Sequence, residues 1–210
     1  MALASPVQGG RLQQRGRHRL RVGGDTETEI SCSLLVNAAG LGAGTVSASL
    51  QGCPPGAAPP QRYAKGHYFS YSGPAPFHRL VYPLPQPGGL GIHATLDLAG
   101  QTRFGPDVCW VGAPDYTFEE GARDRFLDAI GEYFPTLEAA RLHPGYTGLR
   151  PKLVGPGEPA ADFLVLGPTE HGVPGFCSLH GIESPGLTAC LALAEEVCRR
   201  LLPTHGAAGD

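Results

Sequence analysis

Gly181-Ile182-Glu183-Ser184-Pro185-Gly186-Leu187-Thr188 stands between a short apolar run, 175–180, and a segment of helical periodicity that reaches residue 202. Ser184 is a natural N-cap, Pro185 suits the first helical position and Pro203 stops the pattern, so the spacing predicts a helix over 185–202. Glu195 with Arg199 and Glu196 with Arg200 add favourable i,i+4 pairs. Strand, glycine-flanked turn and helix thus follow one another. Free N–H groups and the positive end of the helix dipole gather at such a turn, which suits an anion or an electron-rich carbonyl. A plain helix start has the same spelling.

A second apolar strand, 31–36, ends in Asn37-Ala38-Ala39-Gly40. Small residues at a strand end let another backbone or a cofactor approach closely, and they also serve an ordinary tight turn. Before it, 18–22 alternates like a strand, with Gly23, Gly24 and Asp25 in the connection. The basic, acid-free stretch 11–21 reads as a β-hairpin rather than a transit peptide, and no secretory signal is visible. Residues 51–61 are rich in Pro and Gly, a loop between domains. From 63 to 105 the pattern is antiparallel, with strands expected at 64–71, 79–84, 90–98 and 101–104. Thr117 and Glu120 spell a capping box before a helix whose face is Phe118, Ala122, Phe126, Ile130 and Phe134, and Pro135 ends it. Short strands are expected at 146–152, 163–166 and 175–180. Strands and helices together make the pattern mixed α/β.

Composition narrows the function. The 210 residues carry a net charge of -3 and only 17% charged side chains, so no basic stripe is present to neutralise phosphates and nucleic-acid binding is not expected. No apolar run approaches the roughly 18 to 20 residues of a membrane helix. Gly and Pro, 31 and 21 residues, are spread between short apolar runs, which favours turn-rich β structure over disorder. The six cysteines form no C-x-x-C pair and fit no zinc spacing, so no metal is expected and a reducing compartment follows.

Three glycine patterns come near a dinucleotide-binding turn. Gly40-x-Gly42 is followed by Thr45, Gly89-x-Gly91 opens a strand, and Gly155-x-Gly157 contains Pro156 and Pro159. None joins a strand to a helix through the glycines a pyrophosphate needs. Arg150, inside the apolar strand Gly148-Leu149-Arg150-Pro151-Lys152, requires a carboxylate partner, either a substrate's or a structural Asp or Glu.

The ordered set of motifs resembles a known family. Tyr63-Ala64-Lys65-Gly66-His67-Tyr68-Phe69, Val81-Tyr82-Pro83, Gly91-Ile92-His93-Ala94-Thr95-Leu96-Asp97, Arg103-Phe104-Gly105-Pro106-Asp107, 145–152 and 180–188 occur in the order and spacing of the D-amino-acid-oxidase-like FAD-dependent oxidoreductases, and within them of the L-2-hydroxyglutarate dehydrogenase group. The resemblance covers roughly residues 30 to 202. It implies a Rossmann-like FAD-binding domain (1–45 and 146–202, with 203–210 a tail) interrupted by an antiparallel substrate domain (60–145). It implies hydride transfer from a 2-hydroxy acid to FAD, giving the 2-oxo acid, with electrons passing to a quinone or other acceptor.

By the same resemblance Arg150 grips the substrate carboxylate and Lys65 assists it. His93 and His67 are the candidate bases, because histidine titrates near neutrality. Asn37, Ala38, Ala39 and Gly40 lie along the cofactor. Gly181, Ile182, Glu183, Ser184, Pro185, Gly186, Leu187 and Thr188 face the N1–C2 edge of its flavin ring, where negative charge grows on reduction. The compartment implied is cytoplasmic, peripheral to the membrane in a bacterium, or mitochondrial in a eukaryote. The family's glycine-rich nucleotide turn is not among these residues. The expectation for the 210 residues by themselves is weak FAD binding and poor solubility. The alternatives are an amino-acid or glycine oxidase of the same superfamily and a non-catalytic fragment.

Overall fold

A computed structural model describes residues 1–14, 17–84 and 91–202. In chain order the elements are β1 (Val7–Arg11), β2 (His18–Val22), β3 (Thr28–Cys32), β4 (Leu35–Asn37), α1 (Ala43–Ser49), β5 (Leu50–Gln51) and β6 (Arg62–Tyr71). Then come β7 (Ala94–Leu96), β8 (Thr102–Phe104), β9 (Cys109–Val111), α2 (Ala122–Gly131), β10 (Leu142–Lys152), β11 (Leu164–Leu166), α3 (Pro168–His171), β12 (Phe176–His180) and α4 (Cys190–Leu201). They form two compact units, one of Met1–Gln61, Pro151–Leu153 and Ala160–Asp210, the other of Arg62–Arg150 and Val154–Pro159. The mixed α/β class is as expected.

The first unit holds two sheets. One is a meander in the order β3-β2-β1-β5, and the other runs β11-β12-β4. In the second sheet β12 pairs parallel to β4, with Phe176 opposite Leu35 and Ser178 opposite Asn37. Parallel pairing sends the carboxyl ends of both strands to the same edge. Leu12, Leu50, Ala57, Val173 and Phe176 form one buried cluster, and Cys177, Leu179 and Val197 another.

The second unit is a sheet ordered β10-β6-β8-β7, with β9 also paired to β6. One face is covered. Phe69 and Tyr71 of β6, Ala94 of β7 and Phe104 of β8 are buried with Ala122, Phe126 and Ile130 of α2. The expected apolar face of that helix is thus the one it buries. Alternation of side chains along a strand sends Tyr68 and Ser70, Thr95 and Arg103 to the opposite, uncovered face. Gly145 allows β10 to lie close: a Cβ there would sit 2.7 Å from the Tyr68 carbonyl oxygen.

Several local expectations change. The strand expected at 31–36 is two: β3 belongs to the meander and β4 to the other sheet. Alternation cannot reveal a change of sheet, because both pieces are extended. α2 starts at Ala122 with Gly121 at its N-cap, not at Thr117. Asp115 wins the competition for the Thr117 N–H, at 2.9 Å, and the capping box does not form. α4 begins at Cys190 rather than at Pro185. Pro185-Gly186 makes a turn instead, with the Gly186 N–H donating to the Glu183 carbonyl. The stretch 79–84 supplies only a bridge between Val81 and Ala94. The short helices α1 and α3 and the strand β9 carry too little periodicity to be seen in advance. Leu90, Gly89 and the 203–210 tail lie outside the described residues.

Candidate active site

The face of the second unit's sheet away from α2 gathers a set of aromatic and basic side chains. Tyr68 and Tyr146 stack, 4.6 Å between ring centroids. Arg150, near the end of β10, lies beside Tyr68, close enough for its charge to act on the phenol. His93 is buried, 8% exposed, and stacks on Tyr82 with centroids 4.5 Å apart. Arg103 places its guanidinium carbon 5.8 Å from the Tyr146 ring centroid. Tyr82 and Tyr146 are more than half and half exposed, so the face is an aromatic surface with two guanidiniums and an imidazole set into it.

Electrostatics distinguish these groups. Burial lowers the pKa of His93 below the ordinary histidine value; the Gly91 carbonyl opposes this and the Arg150 charge adds to it. His93 is therefore neutral at physiological pH. Its Nδ1 lies 3.3 Å from the Gly91 carbonyl oxygen, an acceptor, so Nδ1 carries the proton and Nε2 the lone pair. Burial raises the pKa of Tyr68, with Arg150 opposing, so the phenol stays protonated and available as a donor.

His67 and Lys65 lie one strand position away from this face and are spent differently. His67 is fully buried on the helix side. Its Nδ1 is 2.9 Å from Asp107, and its Nε2 accepts the Glu119 N–H at 3.3 Å, so both ring nitrogens are engaged. Asp107 also accepts from the His67 N–H at 2.7 Å and from Arg125 at 2.8 Å. Burial would raise the Asp107 pKa, but these donors together hold it below the usual carboxylate range. Lys65, 2% exposed, donates to Asp115 and the Thr117 carbonyl at 3.0 Å and pairs with Glu119 at 2.9 Å. The hydrogen bond to Glu119 raises its pKa while burial works against the charge. The three ammonium protons thus have three partners within the protein. Ligand atoms of His67, Asp107 and Cys109 lie within 4.8 Å of one another. The Arg125 guanidinium touches both Asp107 and Cys109 there, which supplies the positive charge a metal would bring.

The first unit places the two expected cofactor segments side by side. β4 ends at Asn37 and β12 at His180, so residues 37–40 and 181–188 emerge from the same edge of the sheet. Ligands of α/β sheets bind outside the carboxyl ends of strands. Asn37 itself is buried and spent internally, donating to the Ala43 carbonyl at 2.8 Å and to Ser47 at 2.9 Å. It fastens the strand end to α1. Ala38 and Ala39 are exposed, and Gly40 (φ +57°) has no atom within 4 Å of where a Cβ would be. Gly181 (φ +67°) has no such room, since a Cβ would meet Leu153 at 2.7 Å. Beyond it Ser184, Pro185, Leu187 and Thr188 are exposed, while Glu183 is tied to Lys152 at 2.6 Å. An exposed, side-chain-poor edge of this kind fits the close approach of a flat cofactor.

The fold is that of flavin oxidoreductases. The chain is similar to the FAD-bound L-α-glycerophosphate oxidase of Mycoplasma pneumoniae, with a TM-score of 0.77 and 22% identity, covering 94% of this chain and 50% of that one. It is similar to the glycine oxidase of Geobacillus kaustophilus, with a TM-score of 0.66 and 16% identity, covering 93% and 48%. Residues 3–200 match the FAD dependent oxidoreductase family, and the chain belongs to that family. A mitochondrial L-2-hydroxyglutarate dehydrogenase from Arabidopsis thaliana is 40% identical over 217 residues, which cover 93% of this chain and 45% of that protein. The chain therefore spans about half the length of the curated relative it matches.

Tyr68, Tyr82, Tyr146 and Arg103 were not expected at the site. All four lie within the stretches that carry the family resemblance, and the alternation of 67, 68 and 69 along β6 was the signal that could have separated the two faces.

Proposed function

We propose that the protein dehydrogenates a short 2-hydroxy acid of the 2-hydroxyglutarate kind to its 2-oxo acid, with FAD as the redox cofactor and a quinone or similar molecule as final acceptor. The observation that carries this reading is the presence of Arg150, Tyr68 and His93 together on one open sheet face. Arg150 binds the C1 carboxylate, its planar fork matching two oxygens. Tyr68, protonated and beside Arg150, donates a hydrogen bond to the same end of the substrate. His93 Nε2 accepts the proton of the C2 hydroxyl as the carbonyl forms. FAD, when bound, supplies the acceptor for the C2 hydride. Exposed Ala38 and Ala39 and the half-exposed Gly40, with the 184–188 turn, would hold it at the sheet edge. Lys65 and His67 support the sheet from its covered side and do not touch substrate. The 40% identity to the plant dehydrogenase supports the 2-hydroxy acid over an amino acid.

Arg150→Lys keeps the charge and loses the fork. In the FAD-loaded protein, kcat/KM for 2-hydroxyglutarate should fall by about 1.5–3 kcal/mol in transition-state stabilisation with flavin content and melting temperature unchanged. Wild-type kcat/KM in that variant would remove Arg150 from the site. Turnover of 2-amino acids and not of 2-hydroxy acids by the wild type would favour the oxidase reading instead.

A further inference from the structure

Two guanidiniums, not one, flank the aromatic surface of the open face. Arg150 lies beside Tyr68, Tyr68 stacks on Tyr146, and Arg103 sits over Tyr146. We infer that Arg103 is the specificity-determining residue that holds the distal carboxylate of a dicarboxylic substrate; this rests on the 2-hydroxy acid reading above.

Arg103 occupies β8 directly opposite Ser70 of β6 and Thr95 of β7, in the middle of the sheet rather than at its rim. Its neighbours in sequence, Thr102 and Phe104, are buried on the covered face. An arginine at that register must project from the open face. It is also held in place. Asp97 Oδ2 takes one Nη2 hydrogen bond at 3.0 Å, while Asp97 Oδ1 accepts the N–H groups of Ala99 and Gln101 and so fixes the 97–101 turn. One of five guanidinium donors is thereby committed and the rest of the fork is oriented. The side chain remains 43% exposed. A held, half-exposed arginine above an aromatic ring is set for a carboxylate that arrives from solution.

The rings between the two guanidiniums suit what lies between two carboxylates. Tyr68 and Tyr146 offer apolar ring surface for the methylenes of 2-hydroxyglutarate, with Arg150 beside Tyr68 and Arg103 beside Tyr146. A monocarboxylate of equal length would place a methyl group beside Arg103 and strip water from the guanidinium without a compensating bond. Discrimination follows from guanidinium donors left without an acceptor, beyond the one given to Asp97, as much as from attraction of the second carboxylate.

The test compares 2-hydroxyglutarate with 2-hydroxypentanoate on the FAD-loaded protein. Arg103→Met should lower the ratio of kcat/KM for the dicarboxylate over the monocarboxylate by about ten- to a hundredfold, the range of a lost charge-assisted bond. Arg103→Lys should recover part of the ratio, since charge returns without the fork. Calorimetric titration of the product 2-oxoglutarate should show the same loss of affinity in Arg103→Met, independent of turnover. An unchanged ratio, or an equal fall for both acids together with a lowered melting temperature, would overturn the assignment and leave Arg103 a structural partner of Asp97. A wild type that oxidises neither acid would overturn the underlying reading and the Arg103 assignment with it.

Discussion

Along β6, Lys65, His67, Phe69 and Tyr71 point to α2, while Tyr68 and Ser70 point away from it. The same strand thus serves two surfaces with opposite demands. On the covered side every polar atom of Lys65 and His67 has a protein partner, as burial requires. On the open side His93 Nδ1 meets a backbone carbonyl, and Arg103 pairs with Asp97 while its side chain stays 43% exposed. The two histidines of the family motifs illustrate the difference. His67 has both nitrogens engaged, whereas His93 uses Nδ1 on a backbone carbonyl and leaves the lone pair on Nε2. Residue type identifies a candidate base; the face it occupies decides whether it can act.

The contrast is broken most directly at His93. His93→Gln should reduce kcat by about 10²–10⁴-fold, the usual contribution of a general base, with the flavin retained and the melting temperature little changed. A kcat within a few-fold of wild type would show that the open face does not supply the base.

On the covered side the expected effect is on stability alone. Phe126 is fully buried and packs against Phe69 at 4.5 Å between centroids. Phe126→Ala should lower unfolding stability by about 3–5 kcal/mol, read by chemical denaturation, with kcat per folded molecule preserved.

His67→Leu sharpens the comparison because it alters the other motif histidine. It leaves the Glu119 N–H and a carboxylate oxygen of Asp107 without their ring partners, at a cost of about 1–3 kcal/mol. The acid limb of the pH–rate profile should not move. Loss of that limb in His67→Leu would reverse the roles of the two histidines.

The smallest effect is a displacement of that limb in the wild type. Burial and the nearby Arg150 lower the His93 pKa from 6.5. The base is the neutral form, so kcat/KM should hold level as pH falls through 6.5 and decline only below it. A limb centred at or above the ordinary histidine value would contradict a buried His93 beside Arg150.

Much of this was legible in the sequence, for reasons that also explain what was not. The α2 face, the strands 64–71 and 101–104 and the turn after residue 180 depend on near neighbours, so local pattern suffices. The start of α2 depends on Lys65, which draws Asp115 and Glu119 from some fifty positions away. The break between β3 and β4 depends on which sheet each joins, information held by β2 and β12. At the site, Arg150 and His93 stood out because an arginine in an apolar strand and a histidine in a motif are conspicuous. Tyr68, Tyr82, Tyr146 and Arg103 did not, since aromatics and arginines are ordinary in a sheet until their common face is known. Lys65 came in through the family resemblance, and only its half-exposed carboxylate partners, Asp115 and Glu119, reveal that its charge is already matched.

The parallel pairing of Leu35 with Phe176 also sets a timetable. During synthesis residues 62–150 leave the ribosome before β12 exists. The open face, with His93, Arg150 and Arg103, can therefore form while the edge shared by β4 and β12 is half made. Until residue 176 appears, β4 offers unpaired backbone groups beside exposed Leu34 and Val36, an edge suited to capture by another chain. A chain arrested between residues 160 and 175 would carry the second unit's sheet complete and β4 without its β12 neighbour.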